Sequence, residues 1–290
     1  MKRNTWCCLL AVFSLGFLAS CQNNDEVPEA SSQEVVFRVV NYTQYSLDEL
    51  TRAEADALDH LVLGVFDAET DAQVESPIVQ DKGASGYGTF SVKLTKGSYR
   101  LVFLGYDGKK AFQMTSPSTI SFVDNYVPQT FLYSTVLTVG DEALPAQNVV
   151  LKRAVGAFRL TVADALPSNL SKMRFTSNCG STTLDGKTGF AAGSTGRVHD
   201  ISIPKDSLGK TGIKMRTYLF LPAGETEMDI TVDALTANGS VIRSRTFPAV
   251  PMKINSLLTY EGEFFAAASS NMSASVTVDT EWNSEVTVPF

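Results

Sequence analysis

The sequence predicts an all-β protein of two sandwich domains behind a cleavable leader. Three observations carry that expectation. Apolar and polar residues alternate with a period of two in segment after segment, which turns one face to a core and the other to water. Helical periodicity is weak throughout, and only Leu47 to Leu58 could hold a short helix. Of the 290 residues, 44% are hydrophobic and 19% charged, a balance that buries a core instead of leaving the chain disordered.

The leader comes first. Lys2 and Arg3 form a basic start, Leu9 to Leu18 an apolar run, and the small residues Ala19 and Ser20 precede Cys21. Leu18-Ala19-Ser20-Cys21 resembles the lipobox of bacterial lipoproteins, in which the cysteine thiol is diacylated and the chain is cut just before it. That resemblance implies residues 1–20 as signal peptide and Cys21 as the lipid site. Two acyl chains, at roughly 0.8 kcal/mol per buried CH₂, hold a protein on a membrane without a spanning helix. The alternative is an ordinary secretory signal with an incidental Cys21. Residues 21–33 are polar and acidic and read as a tether. Asp25-Glu26 resembles the surface-export signals of Bacteroidetes lipoproteins, although any solvated linker can be acidic. The expected location is the outer membrane, on the cell surface.

Composition bounds the rest. No later apolar run is long enough to span a bilayer, and Leu61 to Phe66 has the length of a strand. With Lys2 and Arg3 removed, 22 basic side chains face 31 acidic ones, a net charge of −9 that argues against nucleic acid as a partner. Cys7 and Cys8 leave with the leader and Cys21 is the lipid site, so Cys179 stands alone without an intramolecular disulfide partner. It reads as a small buried apolar residue, and stability must come from core burial.

Strand follows strand beyond the tether. Val35, Phe37 and Val39 alternate with Glu34, Val36 and Arg38; His60 to Asp67 is nearly continuous in apolar residues; Phe90 to Leu94 alternates. Lys96-Gly97 turns the chain into Ser98 to Leu104, and Thr130 to Val139 and Asn148 to Leu151 continue the series. In the second half, Ala157 to Val162, Met215 to Leu221 and Glu227 to Asp233 repeat the style, and Asn238-Gly239 is a two-residue hairpin signal ahead of Val241 to Phe247. One echo links the halves. Leu94-Thr-Lys-Gly97 feeds Tyr99 to Val102, and Leu221-Pro-Ala-Gly224 feeds Met228 to Val232, with glycine suited to a positive φ in each. The expected domains are residues 34–151 and 152–290, divided near Lys152-Arg153.

No constellation for catalysis emerges. His60 and His199 are 139 positions apart, without ligand spacing to each other or to a cysteine, and both read as structural or solvent-exposed. The chain has no Gly-x-Ser-x-Gly elbow, phosphate-binding loop or His-Glu-x-x-His. Gly83-Ala-Ser-Gly-Tyr-Gly88 has loop composition only. Asp67-Ala-Glu69-Thr-Asp71, with Glu75 nearby, opens like a calcium loop, but the sixth place is Ala72 and the twelfth Ile78, so it reads as a solvated loop between strands. The expectation is a non-enzymatic protein without cofactor or metal.

Two further segments stand out. Leu50-Thr51-Arg52-Ala53 lies in a polar connection, where Arg52-Ala53 is a candidate site for a trypsin-like protease or an ordinary surface arginine. At the C-terminus Val276, Val278, Thr280 and Trp282 alternate, then Val286, Val288 and Phe290. Such an ending completes its own sheet or adds a strand to another subunit's.

In order and spacing, the lipobox, Val35 to Val40, Leu61 to Asp67, Gly97 to Val102, Leu151 to Leu160, Leu257 to Phe265 and Asp279-Thr-Glu-Trp282 resemble the fimbrillin superfamily of Bacteroidetes, the lipoprotein pilins and anchors of type V pili. The resemblance covers most of the chain beyond the leader. It implies two transthyretin-like Greek-key β-sandwich domains and no enzyme activity. In polymerising members an arginine-specific protease cuts after the first strand, the lipid-bearing segment leaves, and a neighbour's strand fills the groove. Here that would cut at Arg52 and expose a slot lined by Val35, Phe37 and Val39, refilled by donor-strand exchange between fimbrial subunits. Anchor members keep the lipid and terminate the fibre. Asp206-Ser207-Leu208 matches a short O-glycosylation acceptor pattern of such organisms. The competing reading is a monomeric surface lipoprotein that binds a glycan or peptide on a host or bacterial surface through exposed aromatics such as Tyr42, Tyr45, Tyr87 and Tyr126.

Overall fold

The computed structural model describes residues 32–42, 58–266 and 286–289. The leader, Cys21, the tether, most of Leu47 to Leu58, Tyr45, Arg52, Ala53, Val276, Val278, Trp282 and Phe290 lie outside the described residues. Among the described residues the elements are strands and two single 3-10 turns, and no helix is long and apolar enough to cross a membrane. The fold is all-β.

The first nine strands are β1 (Ser32–Tyr42), β2 (His60–Asp67), β3 (Gln73–Asp81), β4 (Thr89–Thr95), β5 (Gly97–Tyr106), β6 (Phe112–Ser116), β7 (Thr119–Phe122), β8 (Thr130–Val139) and β9 (Gln147–Arg153). Seven of them form one sheet in the order β3-β2-β5-β8-β9-β1-β4. The alternation in β1 and β4 places Val35, Phe37, Phe90, Val92 and Leu94 in a core that also receives Leu61, Leu63 and Val65 of β2, Leu101 and Phe103 of β5, and Val149 and Leu151 of β9. Both halves of the sheet therefore face each other. The sheet doubles over at the β8–β9 ladder, which holds only Phe131↔Arg153 and Leu132↔Lys152. It is nearly a closed barrel. The remaining seam, between β3 and β4, is bridged by Gln80, whose Nε2 donates to Thr89 O at 2.7 Å and whose Oε1 accepts from Gly88 N at 2.8 Å.

The remaining strands are β10 (Gly156–Val162), β11 (Lys172–Ser177), β12 (Thr183–Asp185), β13 (Phe190–Ala191), β14 (Arg197–Ser202), β15 (Ile213–Leu219), β16 (Glu225–Leu235), β17 (Val241–Lys253), β18 (Leu257–Gly262) and β19 (Val286–Pro289). Two four-stranded sheets, β14-β11-β16-β17 and β15-β10-β18-β19, enclose a second core around Phe158, Met173, Ile230, Phe247 and Tyr260. The strand order repeats the first half. β3-β2-β5-β8 corresponds to β14-β11-β16-β17, and β4-β1-β9 to β15-β10-β18, with the middle strand antiparallel to one neighbour and parallel to the other in both.

The Leu-x-x-Gly echo falls on equivalent connections, β4 to β5 and β15 to β16, but its glycines act differently. Gly224 takes φ 86°, whereas Gly97 leaves room for the Tyr99 ring, whose Oη lies 3.3 Å from where a Cβ would sit. The Asn238-Gly239 hairpin also differs from the two-residue turn expected. Thr236 and Ser240 close a three-residue loop, Gly239 N donates to Thr236 O, and only Gly239 has positive φ. This is a type I turn ending in a left-handed glycine.

A fourth sheet, β13-β12-β7-β6, joins the halves through two inserted hairpins, with Leu184 opposite Ile120 and Thr183 opposite Ser121. Beneath it a third core takes Val62, Phe66, Val102, Leu104 and Tyr106 from the outer faces of β2 and β5, together with Ala154, Val155, Leu184 and Phe220. β2 is apolar from Leu61 to Phe66 because it serves two cores. Lys187 pairs with Asp71, and Arg153 donates to Asn255 Oδ1 at 2.8 Å while lying 5.0 Å over the Phe131 ring.

Candidate strand-exchange site

β1 is an interior strand laid between two others. It runs antiparallel to β4, from Ser32↔Thr95 to Arg38↔Thr89, and parallel to β9, from Phe37↔Gln147 to Tyr42↔Leu151. Its register with β9 slips between Val39 and Asn41, where β1 carries one residue more than its partner. Val35 and Phe37 are fully buried, Val39 is half-buried against the same core, and the Phe37 ring meets Phe103 edge-on at 5.3 Å. Glu34, Arg38 and Val40 face water.

The start of the strand is fastened by Gln33. Its Nε2 donates to Gly140 O and Glu142 O, both at 3.2 Å, and its Oε1 accepts from Leu144 N at 3.0 Å. Ser91 Oγ donates to Glu34, and Val39 N donates to Gly88 O at 2.8 Å. Removing β1 would leave two unpaired strand edges, on β4 and β9, above an apolar floor of Phe90, Phe103 and Leu151.

At the other terminus β19 lies parallel to β18 at the edge of its sheet, with Val286 opposite Leu258 and Val288 opposite Tyr260. The segment leading towards it is pinned where β18 ends. The Asp164 carboxylate accepts from Phe264 N (2.8 Å), Phe265 N (2.6 Å) and Ala266 N (3.0 Å). Arg245 donates through Nε to Phe264 O at 2.8 Å and through Nη2 to Glu263 O at 2.9 Å, and Arg243 donates to Ala266 O. An anion holding the N–H groups and two cations holding the carbonyls fix residues 263–266 from both sides. Sequence reasoning missed Asp164, Arg243, Arg245 and Gln33. Only the two arginines left a trace, since spacing of two in a strand puts them on one face.

The other residues singled out by sequence are placed as follows. His60 is held by Asp81 (Nδ1···Oδ1 2.7 Å) and Gly108 O (Nε2···O 2.8 Å) and stacks on Tyr106. His199 lies within β14, with Nδ1 3.0 Å from Thr217 Oγ1; burial, then the neighbouring Arg197, pushes its pKa down to about 4. Asp67 Oδ1 accepts from Glu69 N, Thr70 N and Thr70 Oγ1, a closed turn that lowers its pKa, and Glu75 belongs to β3. Among the described residues no group of three or more His, Cys, Asp and Glu could hold a metal. Cys179 is half-buried against the second core, its Sγ 3.0 Å from Ser194 Oγ. Tyr87 donates to Leu58 O and Tyr126 packs on His199, so both rings have internal partners. Ser207 sits half-buried in a 3-10 turn.

The model of one family matches residues 30–290, and so takes in β1, all three cores and the C-terminal strand. The chain belongs to the DUF6562 family. That family is one of unknown function. No curated protein matches the sequence. Among solved structures, this DUF6562 chain is similar to a candidate adhesin from Bacteroides ovatus, at 12% identity over 74% of this chain and 77% of that one, with a TM-score of 0.50. The fimbrial anchor protein Mfa2 of Porphyromonas gingivalis matches at 16% identity over 74% of this chain and 82% of its own, TM-score 0.41. The tip fimbrial protein Mfa3 of the same organism, with a C-terminal truncation, matches at 15% over 80% and 94%, TM-score 0.38. At these identities the likeness is one of fold, shared with a Bacteroides adhesin-type protein.

Proposed function

We propose that the chain is a fimbrial subunit or anchor lipoprotein at the outer membrane surface, non-enzymatic, assembled by β-strand donation and supporting adhesion. In this reading Cys21 carries the lipid, two transthyretin-like Greek-key sandwiches divide near Lys152-Arg153, and the connection at Arg52-Ala53 is the maturation point. Cleavage there frees Val35, Phe37 and Val39 to leave with β1. The donor is the C-terminal segment holding Val276, Val278, Trp282, Val286, Val288 and Phe290.

The observation that carries the reading is the place of β1. It is laddered on both sides, its apolar face is buried, and it joins the rest of the fold through the one connection that contains Arg52. A departed interior strand leaves a slot that another strand refills with the same ladders, regaining roughly 1.5–3 kcal/mol for each side chain buried again. The adhesin-type fold agrees with such a role.

The test is the intact mass and N-terminal sequence of the protein from its native cells, with its size under mild denaturant. A chain beginning at Ala53 and forming a denaturant-resistant ladder is a processed subunit. A chain beginning at diacylated Cys21 and capping a fibre is an anchor. A lipidated chain that stays monomeric at every concentration and captures no strand refutes strand donation.

A further inference from the structure

The two halves close their open seams in different ways, and the difference leaves a charge unanswered. In the first half Gln80 of β3 bridges to β4 with a neutral amide that donates once and accepts once. In the second half the equivalent strands are β14 and β15, and the bridging side chain is Arg197. Its Nη1 donates to Thr217 Oγ1 at 2.9 Å and to Tyr218 O. Its Nε and Nη2 are buried and have no hydrogen-bond partner, although the residue is only 5% exposed.

Those two nitrogens form one edge of the guanidinium, the fork that grips an anion with two parallel N–H bonds. A buried cation with an idle fork is costly unless something answers it. Arg197 takes part in no ion pair with a carboxylate among the described residues: the group that acts on its charge is the neutral Tyr126 phenol, and Asp200, on the other face of β14, is engaged by Lys172 and Arg174. His199, beside it, is held neutral by burial and so adds no second charge.

Arg197 also lines a cavity with Ser177, His199 and Thr217, walled on its other sides by Phe175, Leu219 and Ile230. The space takes a single small group. A carboxylate or phosphate is too large for it, and a neutral water would satisfy the fork without answering the charge. We infer that the Arg197 cavity binds one monovalent anion of chloride size, which ties β14 to β15 and completes the seam of the second half.

The experiment measures the melting temperature of the full-length protein as sodium chloride replaces sodium gluconate at constant ionic strength. A ligand that binds only the folded state raises it, here by about 2–4 °C for a chain of this size. Arg197→Gln removes that dependence. Crystals of the unaltered protein grown in bromide show an anomalous peak beside Nε and Nη2, a readout that does not depend on the variant folding. A melting temperature indifferent to chloride, or bromide crystals with only water in the cavity, overturns the inference.

Discussion

Phe37→Ala tests whether β1 is an integral wall of the first core. The ring is 2% exposed, stands 5.3 Å from Phe103 and lies between the strands carrying Phe90 and Leu151. Deleting a buried phenylalanine loses its transfer free energy and leaves a cavity, together about 3–5 kcal/mol. At about 2–4 °C per kcal/mol for a chain of this size, the melting temperature falls by about 6–20 °C. Val40→Ala is the matched control, on the same strand but 53% exposed, and changes stability by about 0.5 kcal/mol or less. Calorimetry and urea unfolding of both variants give the comparison. Equal, small losses would refute the buried slot, because a strand lying loosely over β4 and β9 leaves no cavity when its ring is removed. Under the proposed function, a synthetic strand of residues 32–42 bearing alanine at position 37 also refills a vacated slot far more weakly than the native peptide.

Three other outcomes follow from the geometry. Gln80→Ala loses two bonds across the first seam and costs about 1–2 kcal/mol in equilibrium unfolding, with faster amide exchange at Gly88. Asp164→Ala leaves three backbone N–H groups without their acceptor and costs about 2–4 kcal/mol, with exchange rising at residues 264–266. His199 is neutral in the fold down to about pH 4 but titrates near 6.5 when unfolded, so the unfolded chain binds the extra proton between those values. Its contribution is present above pH 6.5 and is lost as the pH falls towards 4; His199→Gln flattens the melting-temperature profile in that window, while Asp200, held well below the usual carboxylate range by Arg174, acts only at lower pH.

The sequence pattern revealed how many faces of a strand are covered, and this explains what was legible. β1 and β4 alternate because one face is buried; β2 from Leu61 to Phe66 and β5 from Leu101 to Leu104 are continuously apolar because Leu61 and Leu101 enter one core while Val62 and Val102 enter another. β3 escaped notice because it is an edge strand, rich in exposed polar residues and interrupted by Pro77. β6, β7, β12 and β13 are too short to show a period, and the ladder that joins their two hairpins, β7 to β12, links opposite halves of the chain. The clamp on residues 263–266 and the unanswered fork of Arg197 depend on groups distant in sequence, so no local pattern announces either. The calcium-like run at Asp67 was separable in advance, since a missing glycine and glutamate are local facts.

The repeated topology also explains why strand exchange is proposed for β1 and not for its counterpart. β10 occupies the same place in the second half, antiparallel to β15 and parallel to β18. It is reached from β9 through Ala154 and Val155 alone, and both are buried in the core that joins the halves. Gly156, at its start, packs so closely that a Cβ would lie 2.7 Å from Lys253 O. Withdrawing β10 would tear that shared core, and all seven of its residues are buried. Among the described residues β1 has no such root. Only alternate residues along it are buried, the first described residue of the shared core is Val62, and its ties at Gln33 and Glu34 are hydrogen bonds near or at the surface. Of two strands with equal standing in their sheets, one is built into the joint between the halves, and under the proposed function it is the other that leaves, vacating one slot.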